Sequence, residues 1–425
     1  MFPVMKNIKL FVSKKCPSRS TVWLMLGAFL CYTGMYAVRK SFLAGQYLDI
    51  TFFGMDFKTA LVISQVLGYM MSKFVGIKLV SEMTSTKRAA FLVGLVGFGL
   101  AMLLAFAYLP TNLKPIALFL NGLPLGMIFG LVFSYLEGRK NTELLAAGLS
   151  ATFIFSTGFV KTVGVWLMQG FGVGEFIMPF LTGLVFFPLF LVAVKMLSFA
   201  QQRSDEDISL RSERVPMDAK QRRSFLREHG LVFGGLVVIY VLLTVVRDFR
   251  DNFMVEFWAE LGMQGKPELI TLTEIPVALI VLLIAAGGVL IRDNRKAFNY
   301  GIYLSMVCCI GIVILTWLFE LQVMSPIWWM IINGVGLYLR FVALLKYSGN
   351  VGFLFYTADA LGYSGSVGVM LFKEFSHSQV TWVNFLGDLN QTAGIIMALV
   401  CIITLFLLQS KTKRSVNLAM NTSSS

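Results

Sequence analysis

Charge is scarce in this sequence. Only 14% of its 425 residues are Asp, Glu, Lys or Arg, where soluble domains carry about 25%. Histidine is scarcer still, with His229 and His377 alone, too few for a histidine-built metal centre. No Walker loop, nucleophile elbow or metal-ligand cluster occurs, so no enzyme activity, metal or cofactor is expected. The five cysteines, Cys16, Cys31, Cys308, Cys309 and Cys401, lack ligand spacing, and four of them lie in apolar runs. They read as small apolar fillers rather than a disulfide framework.

What is plentiful is apolar: 57% of the residues are hydrophobic. A bilayer-spanning helix needs about 20 such residues. Runs of that kind fall at 21–47, 58–80, 89–109, 116–136, 144–168 and 174–197, then at 231–261, 270–291, 299–319, 326–345, 350–372 and 390–409. This predicts an all-α membrane protein of about twelve transmembrane helices in two six-helix halves, 21–197 and 231–409. Segments 1–20, 198–229 and 410–425 are read as a cytoplasmic N-terminus, linker and tail. The basic N-terminal stretch runs directly into the first span with no small-residue cleavage site, which predicts an uncleaved first helix.

The net charge of +13 would suggest nucleic acid in a soluble protein. Here it follows topology. The N-terminus, the linker, the tail and every second loop hold 24 Lys and Arg residues, and the alternate loops hold three, Lys114, Lys266 and Lys373. Basic loops stay in the cytoplasm, which places both termini there. The expected partners are the lipid bilayer and a small molecule, with no nucleic acid, and the expected state is a monomer.

The halves echo each other. Tyr36-Ala-Val-Arg39 in the first helix matches Thr244-Val-Val-Arg247 in the seventh, at an offset of 208. Six-plus-six repeats place their ligand near the midplane, between the halves. Ionisable residues inside spans each cost about 2.5–3.5 kcal/mol on insertion scales and normally face a bundle interior or wet cavity. Arg39 and Arg247 would face each other across such a cavity, and two guanidiniums repel unless an anion lies between them. An arginine fork suits phosphate. Lys73, one turn beyond Tyr69, adds a cation near mid-membrane, and Lys161 adds another in the fifth helix. Arg247 and Asp251, four apart, can pair along one face. Glu274, Asp359, Asp248 and Asp251 are candidate proton or ion-pair sites. In the tenth helix only 14 residues separate Pro326 from Arg340, so either Arg340 lies inside the protein or that helix is truncated.

Phe29-Leu-Cys-Tyr32-Thr-Gly-Met-Tyr36-Ala-Val-Arg39-Lys40-Ser-Phe42 resembles the first helix of the organophosphate:phosphate antiporters of the major facilitator superfamily. Tyr69-Met-Met-Ser72-Lys73-Phe74 and the following Ser81-Glu82 resemble their second helix and loop, and Val246-Arg247 resembles their seventh. The resemblance implies that Arg39 and Arg247 are paired phosphate ligands, with Lys40, Lys73, Tyr32, Tyr36 and Tyr69 lining the same cavity. Where those exchangers carry a fifth-helix histidine, this chain has Ser156. The stretch Gly349 to Gly368 resembles a bacterial family of unknown function related to the exchangers. Together these imply a secondary transporter of an anionic, phosphorylated metabolite in the bacterial cytoplasmic membrane, working by alternating access in exchange for phosphate. A proton-coupled symporter of another solute and a non-transporting receptor on the same fold are the alternatives.

Overall fold

The structure is a computed structural model that describes residues 19–81, 85–136, 142–199, 219–264, 266–288, 294–348, 352–376 and 379–423. Residues 1–18 of the expected N-terminal segment 1–20, most of the linker, Glu82, Arg139, Lys140, Arg292 and the start of the Gly349 stretch lie outside the described residues.

In the first half the helices are α1 (Arg19–Lys40), α2 (Phe57–Ser81), α3 (Ser85–Tyr108), α4 (Lys114–Leu125), α5 (Ile128–Leu136), α6 (Thr142–Phe171) and α7 (Met178–Ser198). In the second they are α8 (Ala219–Asn252), α9 (Met254–Glu260), α10 (Glu268–Gly288), α11 (Asn294–Glu320), α12 (Pro326–Ser348), α13 (Gly352–Ser376) and α14 (Trp382–Ser423). With α4 and α5 taken as one broken span and α9 as a short extension of α8, six long helices stand in each half. Among the described residues, eight helical spans are long and apolar enough to cross a bilayer by length and composition. The other long helices, α2, α6, α12 and α13, have 25, 30, 23 and 25 residues.

The structure moves several expected boundaries. The first helix ends at Lys40 rather than near 47, and the chain passes through a 3-10 turn, Ser41–Ala44. It then forms a two-stranded hairpin, β1 (Thr51–Phe52) against β2 (Met55–Asp56). The expected fourth span is broken after Leu125. Pro124 removes one backbone donor there, and Gly126 lets the chain approach α2: a Cβ on it would lie 2.7 Å from the carbonyl oxygen of Tyr69. Helix α8 starts at Ala219, inside the expected linker, and α14 runs through most of the expected tail. The tenth span is not truncated. Helix α12 is continuous, and Arg340 is buried within the protein, its Nε donating to Gly336 O at 2.9 Å and its Nη1 to Cys309 Sγ at 3.2 Å. Cys31, Cys308, Cys309 and Cys401 are free thiols.

Small residues set the closest helix approaches, as expected where lipid offers no hydrophobic drive between helices. Helices α2 and α4 interlock through glycines on both sides. A Cβ on Gly68 would lie 2.1 Å from Phe119 O, and one on Gly122 would lie 2.3 Å from Gln65 O. Within the second half, Gly362 of α13 fits against Thr244 of α8. The halves meet mainly where α6 packs on α10 and α2 packs on α13.

Candidate functional site

Tyr32, Tyr36, Arg39 and Lys40 follow one another at spacings of four, three and one near the end of α1, so all but one share a helix face. The end of that helix leaves its last carbonyls without intrahelical partners. Two side chains that the sequence did not single out supply them. Gln65 Nε2 donates to Arg39 O at 2.6 Å and to Asn121 Oδ1 at 2.8 Å, and Asn121 Nδ2 donates to Val38 O at 3.2 Å and to Gly99 O at 2.8 Å. The Gly68–Gly122 contact is what brings α2 and α4 close enough for this network, which fixes the backbone that carries Arg39.

Arg39, Lys40, Lys73, Arg247, Tyr32, Tyr36, Tyr69, Asp248, Asp251 and Asp359 all line one cavity, of about 70 Å³. Phe129, Phe153, Thr157, Tyr240, Tyr338 and Tyr363 complete the wall. Residues from both halves contribute, which is the placement expected of the Arg39 and Arg247 pair. Two of the expected residues stand elsewhere. Lys161 is wholly enclosed against Asp251 at 2.7 Å, because its own helix packs tightly on α10. Glu274 is sealed in an ion pair with Arg250 at 2.6 Å, with Arg250 Nη2 also donating to Met330 O at 3.3 Å. Ser156 hydrogen-bonds Thr33 at 2.7 Å, and its neighbour Thr157 is the one that reaches the cavity.

The Arg247–Asp251 pair expected along α8 does not form. Arg247 instead holds the adjacent Asp248, at 3.0 Å from Nη2 and 3.2 Å from Nε, and Ser366 donates to the other oxygen of Asp248 at 3.1 Å. Asp251 faces the other half. It takes Lys40 at 2.9 Å and Lys161 at 2.7 Å, while Lys40 also donates to Asn252 Oδ1 at 2.7 Å. Lys73 pairs with Asp359 at 3.0 Å, and Tyr240 donates its hydroxyl to Asp359 Oδ1 at 2.9 Å.

Arg39 differs from these. It is 5% exposed, and among the described residues no carboxylate pairs with it. Its Nε has no hydrogen-bond partner. The guanidinium lies over the ring of Tyr69, 3.6 Å from the centroid, a favourable cation–π contact that leaves the charge uncompensated. Lys73 Nζ lies 5.0 Å from the centroid of the same ring, and Tyr363 meets that ring edge-on at 5.3 Å.

The ion pairs also sort by type. Among the described residues, each pair that crosses between the halves joins a lysine of the first half to a carboxylate of the second: Lys40 and Lys161 to Asp251, Lys58 to Glu256, and Lys73 to Asp359. Each pair inside the second half uses arginine, Arg247 with Asp248 and Arg250 with Glu274. Further ties gather at the end carrying the basic-poor loops. Glu374 accepts from Asp56 N and Thr59 Oγ1, both at 3.1 Å, and Thr162 Oγ1 donates to Pro267 O at 3.0 Å and accepts from Thr271 Oγ1 at 2.7 Å.

Tyr240, Tyr338, Tyr363, Phe129 and Phe153 were not singled out from the sequence. A signal exists for two of them: Tyr240 is seven residues before Arg247, and Tyr363 is four after Asp359, both same-face spacings.

Solved structures share this architecture. A tetrameric peptide transporter, PepTSo2, aligns with 14% identity over 93% of this chain and 98% of its own, with a TM-score of 0.60. A variant of the nucleoside transporter NupG aligns with 11% identity over 91% and 100%, with a TM-score of 0.62. A structure from work on proton-dependent oligopeptide transporters gives 14%, 92% and 97%, with a TM-score of 0.59. At such identities the likeness is one of fold, the all-α membrane fold of the major facilitator type. No curated protein matches the chain. A family model does, across residues 41–411, from the 3-10 turn after Arg39 to the far end of the last span. On that match the chain, a multi-pass membrane protein, belongs to the family of unknown function DUF5690.

Proposed function

We propose that this protein is a secondary transporter that moves a small, phosphorylated organic anion across the bacterial cytoplasmic membrane by alternating access. The observation that carries the reading is Arg39: a buried guanidinium with an unpartnered Nε and, among the described residues, no carboxylate partner, facing a cavity between two halves. A charge in that position is costly unless a ligand supplies the counter-charge. Counting Lys161 behind Asp251, five cations stand against three carboxylates around the cavity. A phosphate monoester, with about −1.5 to −2 charges at neutral pH, offsets that surplus. Solved structures of similar fold are named as nucleoside and peptide transporters, which supports transport as the class; the chemistry of the ligand comes from the cavity.

The cavity volume of about 70 Å³ is well below the roughly 300–1,000 Å³ of ligand pockets. Loading therefore requires the halves to part, which is the motion that alternating access supplies. Exchange against phosphate follows if the loaded carrier reorients more easily than the empty one.

The test is counterflow in proteoliposomes. Vesicles preloaded with inorganic phosphate should take up labelled glycerol 3-phosphate or a hexose phosphate, with little dependence on a pH gradient. Uptake that requires the gradient and ignores internal phosphate would point to the proton-coupled alternative. Binding without any flux would point to a receptor.

A further inference from the structure

We propose that a groove between α8 and α14, apart from the central cavity, binds an anionic phospholipid, with the headgroup phosphate on Arg227 and an acyl chain against the leucines beside it. The inference does not depend on what the central cavity carries.

Glycines on α8 shape the groove. The two helices touch at Gly235, where a Cβ would lie 2.5 Å from Thr404 Oγ1. Toward the end that carries the basic linker and tail they leave room: a Cβ on Gly230 would meet nothing within 4 Å. The groove that Gly230 lines has a volume of about 410 Å³, within the roughly 300–1,000 Å³ of ligand pockets. Leu226, Leu231 and Leu407 give it an apolar wall, and its polar side chains are Arg227 and Ser410. A buried water needs roughly two to four polar partners, which a wall of leucines does not offer. An acyl chain needs none.

The groove lies at the level of the lipid headgroups. Gly230 opens the apolar span of α8 and Ser410 closes that of α14, and both line the groove. It therefore straddles the boundary between hydrocarbon and headgroups. Leu231, just inside that boundary, is 78% exposed, so the groove is open on the side that meets lipid. Arg227, just outside the boundary, is exposed as well.

Charge complements this placement. Both helices continue past their spans, and the stretches 219–230 and 410–423 carry seven basic residues against a single acid, Glu228. Their basic character assigns them to the cytoplasmic side, where each Lys or Arg near the surface favours anionic lipid by about fivefold in binding, and basic pockets between spanning helices hold anionic headgroups. The planar fork of Arg227 suits a phosphate. A free phosphate would make no use of the leucines, whereas a phospholipid uses both ends of the groove.

The test is native mass spectrometry of the detergent-purified full chain, titrated with phosphatidylglycerol or with phosphatidylcholine of the same acyl chains, whose choline cancels the phosphate charge. The parent should bind phosphatidylglycerol at least about fivefold more tightly. Arg227→Gln should weaken phosphatidylglycerol by about fivefold, the worth of one basic residue near anionic lipid, and leave phosphatidylcholine unchanged. Lys87→Gln removes an exposed charge of the first half at the same basic end and should change neither. Gly230→Leu fills the groove without altering its charge, so it should weaken both lipids and keep the preference. Equal losses in Arg227→Gln and Lys87→Gln would mean attraction to diffuse surface charge and overturn the site, and so would undiminished binding in Gly230→Leu. Inorganic phosphate should leave the lipid in place. Release by phosphate as readily as by short-chain phosphatidylglycerol would assign the groove to a free anion and overturn the lipid.

Discussion

Asp251 offers an asymmetric test of the charge arrangement. Its carboxylate is the shared partner of Lys40 and Lys161, at 2.9 and 2.7 Å, and all three side chains are nearly or fully buried. Replacing Asp251 by Asn removes the one negative charge and leaves two buried ammonium groups side by side. Breaking a buried pair in this way costs about 3–5 kcal/mol, and here one carboxylate serves two cations, so the upper end applies. Replacing Lys161 by Met does the opposite. It leaves Lys40 and Asp251 as a neutral pair and fills the space with an apolar chain of similar length, which for buried ion pairs is often neutral or stabilising. The double variant, Asp251→Asn with Lys161→Met, should therefore be more stable than Asp251→Asn alone. The assay is the thermal unfolding midpoint of detergent-purified protein, followed by tryptophan fluorescence. If Asp251→Asn and Lys161→Met lower the midpoint equally, or if the double variant is the least stable of the three, the account of Asp251 as the shared counter-charge is wrong.

Three further expectations follow from the same structure. Arg39→Lys keeps the charge and loses the planar fork over Tyr69, so calorimetry should show anion binding weakened by about 1.5–3 kcal/mol, the usual worth of a charged hydrogen bond; parent-like binding would refute the ligand role. Cysteines at Asn112 and Lys266, both exposed in the basic-poor loops, should react with an impermeant maleimide on intact cells, and one at Arg227 should react only after lysis. Lys114 itself is unsuited to labelling, because it is buried with its Nζ on Phe106 O and over the Phe176 ring. Gly68→Ala would drive a methyl group into Phe119 O, and overpacking of this kind costs about 1–3 kcal/mol. Its thermal midpoint should fall, whereas Gly94→Ala, where a Cβ meets nothing, should leave it unchanged.

The long helices were legible because a bilayer imposes a length and a polarity on each. Breaks inside spans were not. The interruptions at Gly126 and Phe253 and the early end at Lys40 depend on which neighbour a short residue or a carbonyl meets, as with Gly126 against Tyr69 O. Likewise the cavity cations could be found as charges in apolar runs, and ten of the twelve expected residues do line one cavity. Pairing could not be read the same way. Local spacing favoured Arg247 with Asp251, yet the partners of Asp251 come from α1 and α6, far away in the chain. Spacing within one helix says which side chains can meet, and only the packing of helices says which of them do. Arg340 shows the same limit: its spacing left open whether it lies inside the protein or marks a truncated helix, and the fold buries it beside Cys309.

The sorting of charge between the halves has a consequence for assembly. The first half presents lysines at the shared seam and the second presents carboxylates. Two copies of either half would set like charges against each other, in surroundings of low dielectric where repulsion is strong. The two unlike halves attract. Although the halves echo each other in sequence, the seam is therefore heterologous: the described ion pairs across it favour the union of unlike halves over that of like ones.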